Sequence, residues 1–330
     1  MWRRFRVLAS ALLLGAVACA GGAQPATSPT AGTSAAGAPT ARQTSPSPSP
    51  DAPSPARGAF DADAAMLVVH ALTSLGARPA GSLADTQARQ LIADRLRDAG
   101  WSVVEEPFPL PQGGVTANVV AWRDTDPRGG AHVVVGGHHD TVVGSPGAND
   151  NASGIGVLLA VARELADEDT GVPVVLVAFG AEEYQPSEPR QHHLGSDRYA
   201  AAHADRVVAA LSVDMVGNGD VTCICWFDVG PATLAQRLQH VAAETGLTGY
   251  AVQARGDISD HGPFARRRIP AALLWTFLDD VYHSPDDTPE HLHVADLRRA
   301  GDLTLAFLRS LRPQDANGLA PSTPPRPTGP

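Results

Sequence analysis

The amino-acid sequence predicts an α/β protein, a three-layer α/β/α sandwich around a central, mostly parallel mixed sheet. Two observations carry that expectation. Apolar runs at 131 to 137, 172 to 179 and 207 to 213 do not alternate with polar residues, as strands covered on both faces require. Between them lie segments with apolar residues at helical spacing. Strands alternating with helices build largely parallel sheets, whose ligand sites lie beyond the carboxyl ends of the strands. A chain of 330 residues, 43% hydrophobic, can bury one sizeable core, so one large domain is expected over residues 59 to 312.

Ahead of that domain, Arg3, Arg4 and Arg6 precede an apolar run at 7 to 17 that is too short to span a bilayer. This is the pattern of a signal peptide over residues 1 to 19, and it implies export to the cell surface or the medium. Two cleavage patterns overlap there. Ala16-Val17-Ala18 fits small-x-small processing, whereas Ala18-Cys19-Ala20-Gly21 resembles a bacterial lipobox with Ala16 where leucine is usual. The Pro/Ser/Thr/Ala tract at 20 to 58 reads as a disordered tether and favours lipidation of Cys19, the one membrane contact expected. Residues 313 to 330 are again proline-rich and are expected to be disordered.

Order begins near Phe60, where Met66, Leu67, Val69 and Leu72 stand at helical spacing. Residues 84 to 99 form a clearer helix, with Ala88, Leu91, Ile92, Arg95 and Leu96 on one face and Gly100 at its stop. Strands follow at 101 to 106, 115 to 122 and 131 to 137. Ser153 is expected to cap a helix running through Glu168, with Ile155, Leu158, Leu159, Val161, Ala162 and Leu165 facing the sheet. Strands at 172 to 179 and 207 to 213, a helix at 231 to 245, a strand at 271 to 275 and a closing helix at 294 to 311 complete the series.

Charge narrows the partners. Acidic residues number 35 against 25 basic, and every basic residue is arginine, so no lysine-rich patch offers itself to a phosphate backbone and nucleic acid is excluded. The protein is expected to be a monomer. Apart from Cys19 the cysteines are Cys223 and Cys225. On one side of a strand their Cα atoms would stand about 6.5 Å apart, near the upper limit for a bridge. Two small buried side chains and a disulfide both remain open, and the absence of further soft ligands nearby argues against a metal there.

Titratable residues recur at the predicted strand ends: His138 and Asp140, Asp150, Glu182 and Glu183, Asp214, and Tyr282-His283. Two imidazoles and three carboxylates suit a pair of divalent cations of borderline softness, with zinc the default. The arrangement resembles the M28 family of zinc metallopeptidases. Its motifs are matched by His138-x-Asp140, the nine residues PGANDNASG from Pro146, Gly180-Ala181-Glu182-Glu183, Asp214-Met215-Val216-Gly217 and Tyr282-His283-Ser284-Pro285-Asp286-Asp287-Thr288, in that order.

That resemblance implies roles. His138, Asp150 and Asp214 would hold one zinc, and Asp150, Glu183 and His283 a second, with Asp150 bridging. Asp140 would stand behind His138 and fix its tautomer. Glu182 would be the general base, and Tyr282 would help to stabilise the oxyanion. The family often has a cis peptide after the bridging aspartate, here Asp150-Asn151. Peptides are the implied substrates and two Zn2+ the implied cofactors, in a metallo-aminopeptidase.

Two segments depart from or extend the pattern. After Glu183 the sequence inserts a run at 184 to 193 before Leu194-Gly195-Ser196; Glu188, Arg190 or His192 would be its substrate contacts if it is more than an exposed loop. Ser259-Asp260-His261-Gly262-Pro263-Phe264 resembles a pocket-forming stretch that supplies no ligand. His139 is expected to point away from the site, while His192, His193, His203, His240, His291 and His293 are read as surface or helix-cap histidines. Alternatives on the same fold are a carboxypeptidase or dipeptidase, a glutaminyl cyclase with one zinc, and a surface binding protein without catalysis. The full set of five ligand positions speaks against the last two.

Overall fold

The structure, a computed structural model, describes residues 60 to 319 except 124, 125, 127, 128, 185 to 191 and 278. The expected signal peptide, the Cys19 anchor and the tether at 20 to 58 lie outside the described residues, as does the chain from 320 onward.

Helix α1 (Ala62–Thr73) starts where Asp61 accepts the Ala64 amide at 2.9 Å, and α2 (Leu83–Asp98) is capped by Ser82. Gly100, at φ +83°, lets the chain leave α2 in the left-handed conformation that other residues resist. Strands β1 (Ser102–Pro109) and β2 (Val115–Trp122) form an antiparallel hairpin. The chain continues through β3 (His132–His138), α3 (Gly154–Glu164), β4 (Val174–Phe179), α4 (Leu194–His203) and β5 (Val207–Val213). Then come β6 (Thr222–Phe227), α5 (Thr233–Thr245), β7 (Tyr250–Arg255), α6 (Gly262–Arg266), β8 (Ala271–Trp275) and α7 (Val294–Ser310).

The sheet order is β1-β2-β4-β3-β5-β8-β6-β7, and the central four, β4, β3, β5 and β8, are parallel. Flanking strands β2 and β6 run antiparallel to their inner neighbours, which makes the sheet mixed, as expected. Every residue of β3 is buried because both faces are covered. Val133 and Val135 face the layer containing α1, α2, α3, α5 and α7, while Val134 turns to the opposite layer with Val175, Val177, Tyr199 and Phe264.

Several local readings change. Ser153 does not cap α3: its backbone is already helical, and its hydroxyl donates to the Asn149 carbonyl at 2.6 Å while accepting the Val216 amide at 3.1 Å. The helix therefore begins on a loop anchored to β5, and it ends at Glu164 rather than Glu168. Beyond the expected boundary at 312 a 3-10 turn at Pro313–Asn317 carries a buried Asp315, which accepts the Arg312 amide at 2.8 Å, and Leu319 is buried as well. Leu67 is exposed, whereas Ala65, Val68, Val69 and Leu72 form the buried stripe of α1. Helix α6 spans only five residues, too few for a periodic signal in sequence. Cys223 and Cys225 form a buried disulfide, their Cα atoms drawn to 5.3 Å.

Candidate metal centre

Because β3, β4, β5 and β8 are parallel, their carboxyl ends open on one edge of the sheet. His138 is the last residue of β3, Asp214 follows β5 directly, and Glu182 and Glu183 lie just past β4. His283 comes from the loop after β8, and Asp150 from the loop between β3 and α3.

The PGANDNASG loop is held at both sides of Asp150. Asn151 donates from Nδ2 to the Val213 carbonyl at 2.9 Å and accepts the Gly154 amide at 2.9 Å. Asn149 accepts the Gly217 amide at 2.9 Å and donates to Asp279 at 2.9 Å. Asp287, from the distant histidine-bearing loop, accepts the amides of Asn149 at 2.7 Å and Asp150 at 3.1 Å. A Cβ at Gly137 or Gly154 would collide with the Val213 carbonyl oxygen, so glycine lets both segments close onto the end of β5. The Asp150-Asn151 peptide is cis, as the resemblance implied.

The expected ligand residues converge. His138 Nε2 is 3.2 Å from Asp150 Oδ1 and 3.3 Å from Asp214 Oδ1. On the other side, His283 Nε2 is 3.1 Å from Asp150 Oδ2 and 2.8 Å from Glu183 Oε1. His138, Asp150 and Glu183 offer ligand atoms within 4.8 Å of one another, and so do His138, Glu182 and Asp214. Asp150 Oδ2 and Asp214 Oδ1 are buried without a hydrogen-bond donor. Orphaned carboxylate oxygens facing imidazoles, with borderline N and O donors, are what a buried divalent cation site requires.

Electrostatics agree. Burial, joined by the charges of Asp150 and Glu182, pushes the Glu183 carboxyl up to about 9. Asp214 is raised by burial, with the same two neighbouring carboxylates adding to it. For His283 burial opposes the charged ring, yet the facing carboxylates of Asp150 and Glu183 push it up to about 10. Negative charge is in excess in this cleft, and a cation would relieve it.

Asp140 acts differently from the expectation. Its backbone carbonyl, not its carboxylate, accepts the His138 Nδ1 proton at 3.1 Å and so sets the tautomer; the carboxylate stands at 3.8 Å. The carboxylate instead accepts the amides of Glu182 at 3.0 Å and Glu183 at 3.1 Å. Tyr282 stacks on His283 at a centroid distance of 3.7 Å and lines the cleft, more than a third of its surface exposed. Burial, with the surrounding carboxylates, raises its phenol, which stays protonated.

Three residues without an assigned role in the sequence support this cluster. Ser259 donates to Asp214 Oδ2 at 2.7 Å. Arg78, fully buried, donates to the carbonyls of His139, Pro146 and Gly147, fastening the end of β3 to the Asp150 loop. Asp85 accepts from His139 Nε2 at 2.9 Å, so His139 points away from the cluster, as expected, and is buried. His193 and His203 are buried rather than at the surface. His193 occupies the cap position of α4 without a capping bond, and its ring lies 2.9 Å from Glu182. Ser259 and Asp287 sat inside recognised motifs; Arg78 and Asp85 carried no local signal, since their partners lie far along the chain.

The cleft has a volume of about 290 Å³, with Met215, Ile258, Leu273 and Trp275 as its apolar wall. The disulfide packs behind that wall, in contact with Leu273.

An α/β/α sandwich with imidazoles and carboxylates gathered at the carboxyl edge of its parallel strands defines the class, a protein built around a buried divalent-metal centre. The chain belongs to peptidase family M28, whose profile matches residues 118 to 308. It is 32% identical over 189 residues to aminopeptidase YwaD of Bacillus subtilis, covering 53% of this chain and 40% of that protein. It therefore spans well under half of that relative. The uncharacterized protein YfbL of Escherichia coli is 26% identical over 260 residues, 67% of this chain and 79% of YfbL. Among solved structures the fold is similar to a zinc aminopeptidase from Bacillus subtilis, at a TM-score of 0.68 and 19% identity, covering 75% of this chain and 94% of that one. It is equally similar to a glutaminyl cyclase from Porphyromonas gingivalis, at a TM-score of 0.67 and 24% identity over 76% and 98% of the two chains.

Proposed function

We propose that the protein is an exported, zinc-dependent exopeptidase that removes N-terminal residues from peptides. The observation that carries this reading is Asp150, whose two carboxylate oxygens each face a different histidine, His138 and His283. In this reading His138, Asp150 and Asp214 hold one zinc, and Asp150, Glu183 and His283 the second. Two zinc ions, when bound, supply Lewis acidity that lowers the pKa of water and polarises the scissile carbonyl.

The chain's own residues do the rest. Glu182 takes the proton of the attacking water and returns it to the leaving amine. Held by its amide on Asp140, it stands beside the cluster without needing to be a ligand. Tyr282, a neutral phenol, donates to the carbonyl oxygen as charge develops there. The wall of Leu273, Trp275 and Ile258 favours an apolar side chain on the residue released. Export rests on the arginine-led apolar run before Cys19, and the surface anchor on Cys19 itself.

A peptide-library digest followed by mass spectrometry, with and without chelator, tests this directly. Stepwise loss of N-terminal residues, abolished by chelator, is the expected result. Trimming from the carboxyl end would instead make it a carboxypeptidase. Loss of ammonia from N-terminal glutamine without backbone cleavage would favour the cyclase reading, which the solved cyclase of the same fold keeps in view.

A further inference from the structure

We propose that His193 is a positioning residue for Glu182, placed there by the backbone pairing of His193, Leu194 and Gly195 with Glu182, Ala181 and Gly180. The inference rests on the reading of Glu182 as the general base.

Glutamate is a flexible side chain, and a general base must be held within hydrogen-bond reach of the proton it takes. Glu182 is held at three points. Its amide is bound by Asp140 Oδ1 at 3.0 Å, and its carbonyl accepts the His193 amide at 3.2 Å. Its carboxylate Oε1 meets His193 Nε2 at 2.9 Å. Backbone and ring of one residue thus clamp backbone and side chain of the other. The next two residues extend the pairing, Leu194 donating to the Ala181 carbonyl at 3.1 Å and Gly195 to Gly180 at 3.0 Å.

The ring is fixed from behind as well. His193 is 6% exposed, and its Nδ1 faces Asp257 Oδ1 at 3.6 Å, a carboxylate itself paired with Arg266. An ionised carboxylate can only accept, so at 2.9 Å the ring donates to Glu182 through Nε2. With Oε1 engaged by His193, the other oxygen of Glu182 is left for the proton. His193 sits at φ +60°, a conformation that asparagine adopts more readily than most residues.

That backbone fixes the test. His193→Asn keeps the left-handed turn but is too short to reach Glu182, whereas His193→Gln can place an amide N–H where Nε2 stands. On the zinc-loaded full chain, with a leucyl chromogenic amide as substrate, His193→Asn is expected to lower kcat roughly 10- to 100-fold with KM changed less than about twofold. His193→Gln is expected to recover most of that loss, and zinc content and thermal midpoint should stay near the parent values in both. Undiminished kcat in His193→Asn, or equal loss in both variants, would overturn the assignment. Loss of zinc from either variant would overturn it too, because it would make His193 a support of the metal site instead. Glu182→Gln measured alongside separates the two readings: full activity there sinks the general base itself, while an inactive Glu182→Gln beside an active His193→Asn sinks only the role of His193.

Discussion

The carboxylate of Asp140 accepts the backbone amide of Glu182 at 3.0 Å, so a residue two places past the end of β3 sets the position of a carboxylate that follows β4. The adjacent amide of Glu183 is bound by the same side chain at 3.1 Å. One buried aspartate thereby aligns two neighbouring strand ends, and the pairing of β3 with β4 supplies the frame.

Asp140→Asn is therefore expected to act on both glutamates. Its amide group would present a donor toward backbone donors, forcing one of the two peptide units away. We expect roughly a 10- to 100-fold loss of kcat/KM accompanied by weaker zinc retention, as outer supports of metal sites show. Steady-state kinetics together with dialysis against a graded chelator series would measure both.

Arg78 should matter for stability. Its guanidinium serves the carbonyls of His139, Leu72, Gly76, Pro146 and Gly147, and all of these lose a donor in Arg78→Met. A loss of about 3 kcal/mol or more is expected from leaving such groups buried and unpaired, read as a lower urea midpoint. Arg78→Lys, with a single donor head, should recover only part of it.

Asp85 gives a pH-dependent prediction. Burial alone would raise its carboxyl, but the hydrogen bond and charge of His139, with Arg89 and the Gly81 amide, hold it below the ordinary range. A carboxyl depressed in the folded state stabilises above its unfolded value of about 3.9 and loses that contribution as pH falls through the folded value. The destabilisation caused by Asp85→Asn should thus be largest near neutral pH and shrink toward pH 3, as denaturant unfolding at several pH values would reveal. An equal penalty at both ends would contradict it.

How much of this was legible in sequence follows from where the physics is local. Strand β3 announces itself because seven buried residues in a row have no polar partner face, and β5 and β8 fall where their apolar runs place them. His138, Asp150, Asp214, Glu183 and His283 stand in motifs whose order along the chain survives folding. A serine before an apolar helix is normally a cap, but the partners of Ser153, Asn149 and Val216, depend on how the loop meets the segment after β5. Asp85 and His139 pair across 54 positions, and Arg78 reaches Gly147 across 69, distances at which no spacing rule operates. His193 was hidden for a different reason. Its partner is met only where His193, Leu194 and Gly195 pair onto Glu182, Ala181 and Gly180.

The central claim is that Glu182 moves the proton at a centre held by other residues. Zinc content and turnover measured on the same sample of Glu182→Gln test it most directly. The account predicts about two zinc ions per chain, as in the parent protein, with turnover lowered roughly 10²- to 10⁴-fold. Undiminished turnover, or loss of zinc in step with activity, would contradict it.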